Sequence, residues 1–324
     1  MRKLLAFFLL CLPLPSFSVA QGYDPQYIEI IPSTFTVRPY YSVEAGRWTI
    51  SSNDSPSDII YRSEDVHKAG VTIAMGGLSA GYGVAVKNGF NIKDENLYGH
   101  SEAFDFFTHY YGRQYGVEFS FSHNKGFYIN NPEDLGLSSP DGSRPQFPDM
   151  KSDFVSLSVV RVMNYREFSL NAPYDQGERQ KRSAGTWYWI GSLYHGRLNS
   201  PTPIIPAQID SRFNDLKGLT ETSFTGFSVS PGRSQTFVPI KNCYISGAAS
   251  VGLGGQYQIS HTYAGRKAYI VLAGTLQLRL ALGWTGERMF AGIYSILDIY
   301  NAPTQHAAQN AVLNQNQLFV GINF

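Results

Sequence analysis

The sequence predicts an all-β protein, a transmembrane antiparallel up-and-down β-barrel of about 12–14 strands. Three observations carry this. Charged residues make up only 16% of the chain and aromatic residues 14%, with 21 Tyr, 21 Phe and 31 Gly. Beyond the first residues, no apolar run approaches the ~20 positions of a membrane helix. Several segments alternate apolar and polar residues with period two, the mark of a strand with two unlike faces.

Taken in order, the chain opens with MRKLLAFFLLCLPLPSFSVA. Arg2 and Lys3 precede an apolar run from Leu4 to Leu14, and Ser18 and Ala20 stand at a cleavage site, so residues 1–20 read as a cleaved secretory signal peptide. Cys11 lies within the run after Phe8, Leu9 and Leu10, a context that argues against a lipid anchor. Cys243 is then the remaining cysteine, which excludes a disulfide framework and an all-cysteine metal site. Loss of Arg2 and Lys3 takes the formal charge from +1 to −1, so nothing marks a nucleic-acid binder. Residues 21–32 form a periplasmic N-terminal segment. Residues 33–324 hold no linker or low-complexity stretch and read as one barrel.

The clearest strand is TLQLRLALGW, 275–284, where Leu276, Leu278, Leu280, Leu282 and Trp284 oppose Gln277, Arg279, Ala281 and Gly283. GVEFSFS, 116–122, sets Val117, Phe119 and Phe121 against Glu118, Ser120 and Ser122; ASVGLGGQYQ, 249–258, does the same with Val251, Leu253 and Tyr257. Less regular candidates fall at 71–76, 79–87, 104–111, 153–162, 184–195 and 289–300. In a soluble sandwich the leucines would be core. In a membrane barrel they face lipid, and Glu118, Gln277 and Arg279 line the lumen. Strand length favours the membrane, as do aromatic residues near strand ends at Tyr110, Tyr111, Trp187, Trp189, Tyr194, Trp284 and Tyr300.

The final LFVGINF supports the same choice: Leu318, Val320, Ile322 and Phe324 alternate up to the last residue. This resembles the C-terminal strand by which outer-membrane barrels are recognised by the barrel-assembly machinery, an insertion signal. Short connections are expected at 44–46, near Gly77, and at 112–114, 164–166, 241–242 and 285–287, with long ones at 54–68, 88–103, 124–152, 199–218, 258–267 and 300–311. The short–long alternation loses phase between about 172 and 221, as it would if one strand there were split or missed.

YDPQYIE (23–29), HYYGRQYGVEF (109–119), NKGFYI (124–129), ERQKRSAGT (178–186), VGLGGQYQ (251–258), LALGWTGERMFAGI (280–293) and the terminal LFVGINF together resemble an uncharacterised domain-of-unknown-function family (4421) of predicted outer-membrane barrels. The resemblance implies fold and location, and brings no catalytic residues.

Chemistry must therefore be read from the residues. GLSAG, 77–81, matches the Gly-x-Ser-x-Gly nucleophile elbow, but strand-like YGVAVKNG follows where that motif needs a helix, so a hairpin is expected around Ser79. The histidines lack metal-ligand spacing. A lipase-like site would need a serine and a histidine to meet, and Ser120, Ser122 and His123 are the residues for it. The acidic loop 131–153 lacks the spacing of an EF-hand. Glu178, Arg179, Lys181 and Arg182 form the most concentrated charge and are the candidate ligand-binding residues, a basic collar for an anionic solute or lipopolysaccharide phosphate; their alternative is a solvated rim. No cofactor or metal is expected.

The expected protein is an integral outer-membrane barrel of a Gram-negative bacterium, in contact with membrane lipid and lipopolysaccharide. It would be a passive, porin-like small-solute channel or a structural surface barrel. An outer-membrane lipid-modifying enzyme is the alternative, and a soluble secreted β-protein the next. Gly252, Gly254, Ala281 and Gly283 would leave the lumen open or admit long partners from across it.

Overall fold

The structure, a computed structural model, describes residues 22–32, 35–52, 54–86, 95–303 and 308–324. The expected signal peptide lies outside these residues. Two short strands stand apart from the barrel, β1 (Ile28–Ile30) and β9 (Glu178–Gln180), and pair with each other. A further four-residue strand is β3 (Ile59–Arg62). The long strands are β2 (Thr36–Ile50), β4 (Val66–Met75), β5 (Leu78–Ala85), β6 (Glu102–Tyr111), β7 (Tyr115–Ile129), β8 (Gln146–Val162), β10 (Ala184–Asn199), β11 (Glu221–Phe237), β12 (Cys243–Thr262), β13 (Gly265–Thr285), β14 (Met289–Pro303) and β15 (Ala308–Asn323).

These twelve long strands form one antiparallel ring in sequence order. It closes where β15 pairs with β2, from Gln309↔Ile50 to Asn323↔Thr36. β3 is wedged between β2 and β7 at one end. Closure leaves no free strand edge in the ring, the condition for strands to cross a bilayer. Among the described residues no helix is long and apolar enough to cross a membrane.

The two faces resolve the ambiguity of the pattern. Leu280 is 63% exposed and Leu282 51%, whereas Gln277 between strands of the inner wall is 5% exposed. Trp187, Leu193, Phe227, Val229, Val251, Leu253, Ile270 and Leu272 are likewise exposed. An apolar surface this extensive, wrapped around a ring of strands, is a lipid-facing belt, and the leucines are not core. The aromatic residues divide by the same alternation. Trp187, Trp189 and Trp284 face out as expected, but Tyr111, Tyr194 and Tyr300 point inward and are buried. Tyr111 follows the outward-phase Tyr110, and a period of two cannot put both on one face.

The ends of the barrel differ. At the near end, which carries residues 22–32 and Phe324, β4 meets β5 through Gly76–Gly77, and residues 112–114, 238–242 and 286–288 make other short turns. Phe324 stacks on Phe35, centroids 4.6 Å apart. One near-end connection is long, 163–183, holding β9 and a helical turn, α3, at Asn171–Tyr174; the two other turns, α1 (Glu95–Tyr98) and α2 (Pro132–Leu135), belong to the far end. This insertion explains the lost phase: 164–166 is its beginning, not a complete turn. Two other expected connections are also corrected. Residues 44–46 lie inside β2, where Glu44 pairs with Val66 and the Gly46 N–H donates to Ser63 Oγ at 2.9 Å. The loop at 258–267 is a tight hairpin around 263–264, with Gly265 at φ 102°.

Small inward residues are covered by side chains of the strands beside them. A Cβ on Gly252 would lie 2.0 Å from Ser230 Oγ, and one on Gly283 2.6 Å from the Tyr244 hydroxyl. Side chains occupy the lumen in two apolar clusters. The near-end cluster joins Tyr40, Tyr188, Tyr244, Phe290 and Phe319 to Phe168, Leu170 and Tyr174 of the insertion. The far-end cluster joins Trp48, Ile50, Tyr61, Phe154 and Tyr300 to Ile204, Ile205, Ile209, Phe213, Leu216 and Leu219 of the cap at 200–220. At ~1.5–3 kcal/mol for each large apolar side chain buried, six cap residues supply on the order of 10 kcal/mol before chain ordering is counted.

Candidate functional site

Between the two clusters lies an interior chamber of about 170 Å³, lined by inward residues of β2, β6, β7, β8, β13, β14 and β15. Its centre is an ion pair across the barrel. Arg279 on β13 donates through Nη1 and Nη2 to both carboxylate oxygens of Glu118 on β7, at 2.6 and 2.7 Å. The Tyr111 hydroxyl donates to Glu118 Oε1 at 2.8 Å. The planar fork of arginine suits this geometry and ties opposite walls together. Gln277, adjacent on β13, accepts from Ser250 at 3.3 Å. The three residues assigned to the lumen by alternation thus lie on the inner wall, and two of them meet.

A second charged group sits beside the first. The Lys68 ammonium is fully buried between Glu44 and Asp105, and the Tyr40 hydroxyl donates to Asp105 at 3.3 Å. Alternation alone would not show this trio, because its members come from β2, β4 and β6.

The insertion 163–183 is fastened to the near side of the chamber. Asp175 Oδ1 receives Ser79 Oγ at 2.7 Å and meets His109 Nε2 at 2.6 Å. Arg38 donates to the Tyr174 carbonyl and, at 3.2 Å, to Gln176 Oε1. The Tyr244 hydroxyl donates to the Pro173 carbonyl at 3.2 Å. Ser79 therefore sits in a β-hairpin, not on an elbow, and is buried; in this cluster the aspartate, not the histidine, is central. Ser120 and Ser122 face inward while His123 takes the outer phase beside Asp153, at 2.6 Å, so alternation separates the serines from the histidine.

The basic collar has partners of its own at the near end. Arg179 donates to Glu29 at 2.9 Å and to the Thr285 carbonyl at 2.9 Å. Lys181 donates to the Pro25 carbonyl at 2.9 Å, and Arg182 to Gln26 Oε1 at 3.1 Å. Glu178 meets Arg113 at 2.7 Å; burial pushes its carboxyl above the usual range, against the pull of that guanidinium. Arg179, Lys181 and Arg182 clamp the N-terminal segment onto the insertion, while Glu178 ties the insertion to the 112–114 turn. Their partners in the structure are the chain's own carbonyls, amides and carboxylates and, for Glu178, the Arg113 guanidinium. Leu318, Val320, Ile322 and Phe324 all face outward in the belt.

The family model described as Domain of unknown function (DUF4421) matches residues 22–324. No curated protein matches. Among solved structures, the β domain of the Bordetella autotransporter BrkA is 11% identical, with a TM-score of 0.40, covering 89% of this chain and all of that one. A bacterial polysaccharide outer-membrane secretin is 12% identical, with a TM-score of 0.34 and coverage of 90% and 99%. The Pseudomonas putida toluene transporter TodX is 7% identical, with a TM-score of 0.29 and coverage of 90% and 91%.

Proposed function

Because this chain belongs to the DUF4421 family, whose model spans its barrel, we propose that it is a closed outer-membrane barrel with a structural role at the membrane surface, and not a passive channel. The observation that carries this is the double seal. The insertion 163–183 packs across the near end, the cap 200–220 packs across the far end, and the chamber left between them is a part-open space of about 170 Å³. A water-filled path would require both clusters to come apart. With the near end periplasmic, the cap and its neighbouring loops face outward, and the barrel is a rigid support for them. Residues 1–20 act as the export signal and the last strand as the signal for barrel assembly.

The test is single-channel recording of the refolded protein in a planar bilayer, with heat-modifiable gel migration as the measure of folding. Folded protein is expected to be silent. Steady ohmic conductance from a folded wild-type sample would overturn the reading and restore the channel.

A further inference from the structure

The lipid-facing belt has a polar interruption. On β15 the outward alternation that gives Phe324, Ile322, Val320 and Leu318 continues into Asn316 and Asn314, both exposed. Asn316 Nδ2 donates to Asn314 Oδ1 at 3.3 Å. In register, Asn316 lies between Ser295 of β14 and Val43 of β2, and Ser295 lies beside the exposed Leu280 of β13. Leu318 and Val312 bracket the two amides along their own strand, while Ile293 and Leu297 bracket Ser295 along β14. The island's nearest outward neighbours, Val312, Leu318, Ile293, Leu297, Leu280 and Val43, are apolar, and the exposed Arg47, register partner of Val312, marks the far-end limit of the belt one step beyond Asn314. Asn316 and Ser295 themselves line a groove of about 490 Å³ on the outer face, together with Tyr41, Leu280, Ile293 and Leu318.

Hydrocarbon supplies no hydrogen-bond partner to a carboxamide, so amides aimed at lipid are unfavourable unless another protein surface meets them. Two carboxamides have four N–H donors and four acceptor lone pairs, and one mutual bond leaves them equally matched in what remains. A patch that is uncharged and balanced in this way can satisfy a copy of itself across a two-fold axis, as an isologous interface requires. The groove has room for the outward leucines of such a copy. From these features we infer that the protein forms a two-fold dimer in the membrane through the β14–β15–β2 face, with Asn314 and Asn316 meeting their counterparts at its centre.

The inference rests on the lipid-facing belt and is independent of whether the barrel conducts, so conductance and dimerisation can fail separately. The test is oxidative cross-linking in native membranes, using Asn316→Cys in the full chain with Cys243→Ser to remove the native thiol. Copper phenanthroline is expected to give a disulfide-linked dimer. Leu157→Cys, outward on β8 halfway round the ring, serves as the control and is expected to stay monomeric. As a second measurement, native mass spectrometry from mild detergent should find twice the chain mass for wild type, and chain mass for the Asn314→Leu/Asn316→Leu variant, which still folds by heat modifiability. A monomeric wild type, cross-linking at Leu157→Cys equal to that at Asn316→Cys, or an undisturbed dimer in the double leucine variant would each overturn it. So would recovery of a different protein bound at this face.

Discussion

The ion pair between Glu118 and Arg279 offers a measure of whether the lumen is sealed. Both side chains are largely buried, 17% and 11% exposed, and the pair has two short bonds plus the Tyr111 hydroxyl. Removing one partner of such a pair strands the other charge in a poorly solvated space, which typically costs ~3–5 kcal/mol. Arg279→Met should therefore lower the folding equilibrium constant by about two to three and a half decades, at 1.4 kcal/mol per decade. Glu118→Gln should be similarly harmful, whereas the double variant should recover most of the loss, because it buries no lone charge. The assay is urea unfolding of the barrel in lipid vesicles, followed by tryptophan fluorescence and completed as a double-mutant cycle. In a wide, water-filled lumen the same pair would behave as a surface salt bridge, worth ~0–1 kcal/mol. Single-variant losses below ~1 kcal/mol, with additive effects in the cycle, would refute both the seal and the strength assigned to the pair.

Two other outcomes follow from the same geometry. Asp175→Ala removes the acceptor shared by Ser79 and His109, at a cost of ~1–3 kcal/mol for the groups left unpaired; it should loosen the insertion and speed tryptic cleavage at Arg179, Lys181 and Arg182, read by timed proteolysis of the folded barrel. Leu280→Arg places a cation on the lipid face and should cost ~2–4 kcal/mol of assembly; the folded yield from vesicles should drop sharply, and an unchanged yield would mean that this face is not in lipid.

Strand periodicity in the sequence was sufficient to find the wall of the barrel but not its contents. In 275–284 and 116–122 each residue's phase could be read, because a strand alternates strictly and both faces are long. Periodicity by itself left open which phase looked inward, since leucines against glutamine and arginine describe a soluble core and a membrane wall equally well; strand length, the aromatic strand ends and the terminal LFVGINF chose the wall. The insertion was missed for a different reason. Its elements are a four-residue helical turn and a three-residue strand, too short to show a period. Its anchors, Asp175 to Ser79 and to His109, join positions 96 and 66 residues apart and leave no local pattern. The ERQKR cluster was conspicuous as charge, but its partners at Pro25, Gln26 and Glu29 lie about 150 residues away, so composition could not show that the chain supplies them. The Glu-Ala-Gly at 44–46 looked like a turn because local propensity cannot register that Lys68 waits on the next strand.

The closing ladder also constrains the order of assembly. β15 and β2 join residues as far as 287 positions apart, and the Thr36 hydroxyl donates to Asn323 at 2.6 Å. Every other ladder in the ring links neighbours in sequence and can form as the chain is delivered; this one waits for the whole of it. The insertion touches β5 and β6 on one wall and β12 on another, so it already has seats on both sides of the curling sheet before the seam shuts. The barrel is in this sense wrapped around its stopper, not corked afterwards, and a chain that closed first would have to thread a folded segment past a ring of tyrosines to reach the same state.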